Sequence, residues 1–148
     1  MNAEQLPSGP DAEAATRVIL ETWPDTVIAE TDGARFFSLD EANWPNYATI
    51  VWTDDFDEGA PSRLARPGVF RVNIGLDRAS FDGVIGAPGD AAADPATLDR
   101  LVAHPVYARQ RWVSILNPSH ASMRDLVVPL LARAHDRLAA QRRRQGRA

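Results

Sequence analysis

Gly68-Val69-Phe70-Arg71-Val72-Asn73-Ile74-Gly75-Leu76 is the stretch whose reading decides the fold. Phe70, Val72, Ile74 and Leu76 alternate with Arg71, Asn73 and Gly75, and successive side chains of an extended chain point to opposite faces. The stretch predicts a strand with one apolar and one polar face, the pattern of an antiparallel sheet packed on one side. Upstream, Ala48 to Thr53 reads as another strand, with Ile50 and Trp52 on one face. Thr26 to Glu30 and Ala34 to Leu39 flank Thr31-Asp32-Gly33, a hairpin signal because glycine accepts positive φ without a Cβ clash. Between these runs Asn43-Trp44-Pro45-Asn46 marks a turn, and Asp54 to Pro67 is a long charged loop.

Helical signals bracket the strands. Asp11 reads as an N-cap with Glu13 in the first turn. Ala15, Val18, Ile19, Thr22 and Trp23 then share a face until Pro24 ends the helix. Asp77 to Gly86 predicts a short helix capped by Asp77, with Phe81, Val84 and Ile85 as its apolar side. Ala87 to Pro95 reads as a loop or flap, and Thr97 to Val102 as a further helical turn. Arg111 to Leu116 is a fifth strand. Asn117-Pro118, or alternatively Ser122 with Asp125, caps a last helix. In that helix Met123, Leu126, Val127, Leu130, Leu131, Ala134 and Leu138 keep helical spacing to about Ala140. Pro129 either kinks this helix or marks its true start. The order predicts an α+β, two-layer fold: an antiparallel sheet of about five or six strands, covered on one face by the N- and C-terminal helices. The other face is then solvated or used. Residues 1–10 are expected to be a flexible leader, 11–141 a single α+β domain, and 142–148 a basic flexible tail.

Composition narrows the chemistry. The chain has 148 residues, enough for one ordinary domain. With 45% hydrophobic and 24% charged residues it is neither wholly disordered nor a coiled coil. Cysteine is absent, which excludes disulfides, thiol catalysis, iron–sulfur clusters and cysteine zinc sites. All sixteen basic residues are arginine, so Schiff-base lysine chemistry is excluded too. No apolar run reaches the ~18 residues of a membrane helix. Met1 to Pro10 has neither the basic start nor the apolar run of a signal peptide, so a cytoplasmic protein is expected. Residues 1–60 hold thirteen acids and two arginines; residues 61–148 hold seven acids and fourteen arginines. This asymmetry gives either an anion-attracting face or two halves that interleave and cancel.

One segment carries a resemblance. His104-Pro105, Trp112 eight residues after the histidine, the strand Val113-Ser114-Ile115 and the long closing helix, with Val69-Phe70-Arg71-Val72-Asn73 upstream, resemble the C-terminal half of MmcQ/YjbR-type proteins. The resemblance covers about residues 66–140 and, by element order only, the part before them. It implies a frataxin/CyaY-like fold of helices flanking an antiparallel sheet. DNA binding has been suggested for such proteins on structural grounds, and one member is associated with antibiotic biosynthesis or self-protection. Arg109 and Arg111 stand where lysines are usual, and the Asp54–Pro67 loop is not typical. No catalytic residue is carried over.

Two constellations are candidates for function. On one reading His104, Tyr107 and Trp112 line a pocket, with His104 titrating near neutral pH; on the other, His104 anchors a loop and Trp112 is a core or sheet-cover residue with its indole N–H bonded to backbone. Arg71 and Asn73, joined by Arg35 and Trp52, make a platform for an anion or an aromatic ring, or else a wet sheet face with salt bridges to Glu30 or Asp32. Asp54, Asp55, Asp57 and Glu58 suit a hard cation, but the spacing of a calcium loop is missing and a solvated loop is expected. His120 and His135 are too far apart for a helical zinc pair. Ser119-His120 beside Asp125 does not have the geometry of a nucleophilic triad. Neither metal, cofactor nor catalytic residue is predicted.

The sequence thus points first to a non-catalytic binding module for a small anionic or aromatic ligand on the exposed sheet face, through Arg71, Asn73, Trp52, Trp112, His104, Tyr107 and Arg35. A nucleic-acid-associated module using the arginine-rich C-terminal half, with Arg142, Arg143, Arg144 and Arg147 at its end, is the alternative. A small-molecule pathway enzyme or resistance factor is the third reading. A membrane partner is not expected.

Overall fold

Six strands form one antiparallel sheet in the order β1-β2-β3-β4-β6-β5. In the computed structural model, which describes residues 5–86 and 93–146, these are Val27–Thr31 (β1), Ala34–Ser38 (β2), Asn46–Val51 (β3), Arg71–Gly75 (β4), Val102–Ala103 (β5) and Trp112–Leu116 (β6). The β1–β2 hairpin turns at Gly33, with φ of 89°. A Cβ there would also meet the Thr53 side chain at 2.3 Å. Helix α1 (Ala12–Thr22) starts as expected: the Asp11 carboxylate accepts the Ala14 N–H at 2.8 Å. Helix α2 (Arg78–Ile85) is capped by Asp77, whose carboxylate accepts from Ser80 N–H at 2.6 Å. Among the described residues no helix is long and apolar enough to cross a membrane.

The C-terminal helix departs from the expected start and end. It begins with a turn, α3 (His120–Ser122), capped by the Ser119 hydroxyl. Neither expected cap is used: Asn117 bonds to backbone elsewhere, and Asp125 pairs with Arg124. A π-helical stretch, Met123–Val127, follows and leads into α4 (Val128–Arg144). Proline lacks an N–H and its ring crowds the carbonyl four residues back. Here the wider π turn accommodates Pro129, with Val128 N–H donating to Met123 five residues back. The helix outlasts the apolar spacing and runs to Arg144. Arg142, expected in a flexible tail, donates to Asp40 at 2.8 Å. At the other end, Ser8 O accepts from His120 N–H at 2.9 Å, which ties this part of the expected leader to the start of α3.

Thr97 to Val102 is not a helical turn. Leu98 makes a lone bridge to Leu116, and Val102–Ala103 pairs with β6 at the sheet edge. Unsatisfied strand backbone on β6 outcompetes a local helix that has too few residues to propagate. Most of the expected Ala87–Pro95 loop, residues 87–92, lies outside the described residues.

Register assigns the two faces, because directly opposed residues share a side. Phe37, Ala48, Ile74 and Val113 form one row; Ile50, Val72 and Ile115 form the next. These side chains pack with Ala15 and Ile19 of α1 and with Leu130, Leu131, Ala134 and Leu138 of α4. Each fully buried Ile or Leu contributes about 1.5–3 kcal/mol relative to exposure, so the helix-covered face is the main source of stability. The opposite face carries the rows Ala34–Val51–Arg71–Leu116 and Phe36–Thr49–Asn73–Ser114. One end of it is covered by the segment between β3 and β4. Leu64 and Val69 pack there on Ala34, Val51 and Leu116. The Asp54 carboxylate closes this segment by accepting from Leu64 N–H at 2.8 Å and Ala65 N–H at 3.2 Å. Asn117 fastens its far end, accepting from Phe70 N–H at 3.1 Å and donating to Gly68 O at 2.9 Å.

Candidate functional site

Where the covering segment ends, the second sheet face opens into a cavity of about 580 Å³. Its volume lies in the range of small-molecule sites. β4 contributes Arg71, Asn73 and Gly75 to the walls, and β6 contributes Trp112. The loop between β5 and β6 brings in His104 and Tyr107, and the loop after β3 brings in Phe56 and Asp57. Arg137 and Leu138 of α4, the helix packed on the first face, also line the cavity, so it extends from the second face past the sheet to the helix side.

The floor is polar and buried. Arg71 is 1% exposed and Asn73 2%, so they are not on an exposed platform as the alternation alone suggested. Arg71 Nη1 donates to Asp57 Oδ2 at 2.5 Å and to Ser62 Oγ at 2.9 Å, while Nε donates to Asn73 Oδ1 at 2.8 Å. Asn73 Oδ1 also accepts from Ser114 Oγ at 2.8 Å, and Asn73 Nδ2 donates to Thr49 Oγ1 at 2.9 Å. A buried ion pair gives up its hydration, and added hydrogen bonds of this kind are what make such burial tolerable.

His104 anchors a loop and lines the cavity, but it does not titrate near neutral pH as the pocket reading expected. Its Nδ1 accepts from Val106 N–H and Tyr107 N–H, each at 3.0 Å, which anchors the loop. Two donors at Nδ1 require a lone pair there, so the neutral ring carries its proton on Nε2. Burial, reinforced by the Arg71 charge and opposed by Asp57, lowers its pKa to about 4. The imidazole is therefore a neutral hydrogen-bond donor at physiological pH. Tyr107 lies with its ring centroid 5.0 Å from that of His104.

Trp112 lies over Gly75, where a Cβ would come within 2.9 Å of the indole. Glycine at this position is what lets the ring approach the sheet. The expected bond from the indole N–H to backbone is not formed. Around the mouth stand exposed aromatics: Trp44 (72%), Tyr107 (50%) and Phe56 (48%).

Five of the seven expected residues thus meet at one cavity: Arg71, Asn73, His104, Tyr107 and Trp112. Arg35 and Trp52 do not belong to it. Arg35 is opposed to Ile50, so both residues fall on the helix side of the sheet. Arg35 pairs with Glu13 and, at 2.5 Å, with Glu30, and its guanidinium lies 4.9 Å from the Trp52 ring centroid. The acidic loop is also not simply solvated, because Asp57 is the buried partner of Arg71. Sequence reasoning missed Asp57; the signal available was that a buried arginine demands an acid, but four acids stand within residues 54–58. The acidic and basic parts of the chain interleave through Asp57–Arg71 and Asp40–Arg142. Among the described residues no group of three or more His, Asp or Glu is placed to hold a metal ion.

No curated protein and no solved structure matches the chain. The model of a family of unknown function, DUF6194, matches residues 10–148, and with nearly its whole length covered the chain belongs to that family.

Proposed function

We propose that the protein is a binding module for a small molecule with a flat aromatic body and a polar edge, taken into the cavity on the second sheet face. The observation that carries this reading is the pairing of a buried polar floor, Arg71–Asp57–Asn73–His104, with an aromatic mouth of Trp44, Phe56 and Tyr107. A folding core has no need to bury an ion pair beneath exposed aromatic rings. Apolar walls with a few convergent polar groups are the general form of a ligand site. Kinship with MmcQ/YjbR-type proteins is part of the same proposal and rests on His104-Pro105, Trp112 and the closing helix.

The test is a panel of aromatic small molecules read by thermal shift on the wild type and on Tyr107→Ala and Phe56→Ala. Both residues are half-exposed, so their truncation leaves the fold intact. A ligand of the site raises the melting temperature of the wild type and does so less in each variant. A panel without any response, or variants that respond like wild type, would overturn the reading.

A further inference from the structure

Resting on that reading of the cavity, we propose that it takes an uncharged ring carrying a hydrogen-bond donor beside an acceptor, as in a lactam or cyclic imide, and disfavours a carboxylate of the same shape. An arginine in a pocket usually suggests an anion. Here its charge is already met: the side chains of Arg71 and Asp57 are 1% and 2% exposed and 2.5 Å apart. His104 adds no charge, since its Nδ1 is occupied as an acceptor by two backbone N–H groups. The floor as a whole is electroneutral. Arg137 is the other formally charged residue of the lining; it is exposed at the mouth, where water and salt screen it.

Atom by atom, the floor offers both hydrogen-bonding senses. Among the described residues no buried side-chain nitrogen or oxygen lacks a hydrogen-bond partner. A polar atom without a partner in the chain therefore reaches open space. Three such atoms belong to the floor: Arg71 Nη2, Asp57 Oδ1 and His104 Nε2. The open space flanking all three residues is the cavity. Nη2 shares the guanidinium carbon with the paired Nη1, and Oδ1 shares the carboxylate carbon with the paired Oδ2, so one ion pair supplies both an unused donor and an unused acceptor. His104 Nε2–H is a second donor. A lactam edge matches this: its carbonyl accepts from Arg71 or His104 while its N–H donates to Asp57. A carboxylate facing Arg71 turns its second oxygen toward the Asp57 carboxylate and is repelled.

The experiment is titration calorimetry of the full chain with quinolin-2(1H)-one, its N-methyl derivative and 2-naphthoate, three bicyclic probes of similar size. The lactam is expected to bind, with N-methylation and carboxylate replacement each weakening binding at least about tenfold, because each leaves a buried polar group unmatched. Phe56→Ala is expected to weaken lactam binding. Naphthoate binding as tightly as the lactam would overturn the inference and leave the cavity standing as an anion site. N-methylation without effect would overturn the role given to Asp57, and with it the inference, as would lactam binding that Phe56→Ala leaves unchanged. Silence from all three probes, when the aromatic panel yields a ligand, overturns the inference alone; silence from probes and panel together removes the binding reading as well.

Discussion

The two faces of the sheet are built by opposite means. On the helix side, Ile50, Val72, Ile74, Val113 and Ile115 bury against two helices, and the packing asks only for apolar surface. On the other side, Arg71, Asn73 and Ser114 are nearly as deeply buried, with Thr49 partly exposed beside them, and each polar atom they bury has to be matched singly. Hydrophobic burial is non-directional and tolerant; buried hydrogen bonding is directional, and a missing partner costs more than the bond itself contributes. The difference shows where stability resides and where selectivity can reside. A face that contributed only stability would be expected to resemble the helix side.

The largest effect expected from this contrast is at the ion pair. Asp57→Ala should destabilise the protein by about 3–5 kcal/mol, since it leaves the Arg71 charge buried alone. The double variant Asp57→Leu with Arg71→Met should recover most of that loss, as buried pairs replaced by apolar residues often do. Chemical denaturation of the single and double variants measures both. If the single substitution costs no more than a surface change, the two faces do not differ in the way described.

Acid provides the next effect. The His104 pKa falls from 6.5 to about 4 on folding, chiefly through burial. Above pH 6.5 the ring is neutral in both states and the pair of states is unaffected. As pH falls through the interval to 4, the unfolded chain takes up a proton that the folded chain refuses, so stability falls. The full loss is on the order of 3 kcal/mol and is reached below pH 4. His104→Gln should flatten the difference between denaturation curves at pH 7 and pH 4.5; an unchanged pH dependence would place the histidine outside the buried floor.

Gly75→Ala should cost about 1–3 kcal/mol by overpacking, because the added Cβ meets the Trp112 ring at 2.9 Å. It should also shift the intrinsic fluorescence as the indole is displaced at the cavity wall. The smallest effect belongs to the helix side: Ile115→Val should cost about 1 kcal/mol. It should leave the pH profile and any ligand response as in wild type, and a change in either would join the two faces that register keeps apart.

Much of this architecture was legible in local signals. The alternation through Val69 to Leu76, the Asp-Gly hairpin, the Asp11 and Asp77 caps and the spacing from Met123 to Leu138 each depend on a few neighbouring residues. The candidate site was legible in part: strand alternation and the His104–Trp112 segment point to Arg71, Asn73, His104, Tyr107 and Trp112, and all five line one cavity. Arg35 and Trp52 were misplaced because alternation says that neighbours face apart, not which side of a shared sheet each strand presents. Register settles that, since Arg35 opposes Ile50 and Ile50 opposes Val72.

By itself, then, the sequence determined the α+β class, the strand and helix order and the amphipathic stripes, because periodicity and capping act within a few residues. Tertiary structure alone decided that Asp57, rather than Asp54, Asp55 or Glu58, meets Arg71, and that the segment after β3 closes one end of a face and leaves a cavity beyond it. The physical reason is that a charge partner is chosen by long-range chain closure: residues fourteen apart in sequence are joined only once the sheet has fixed one and the loop has delivered the other.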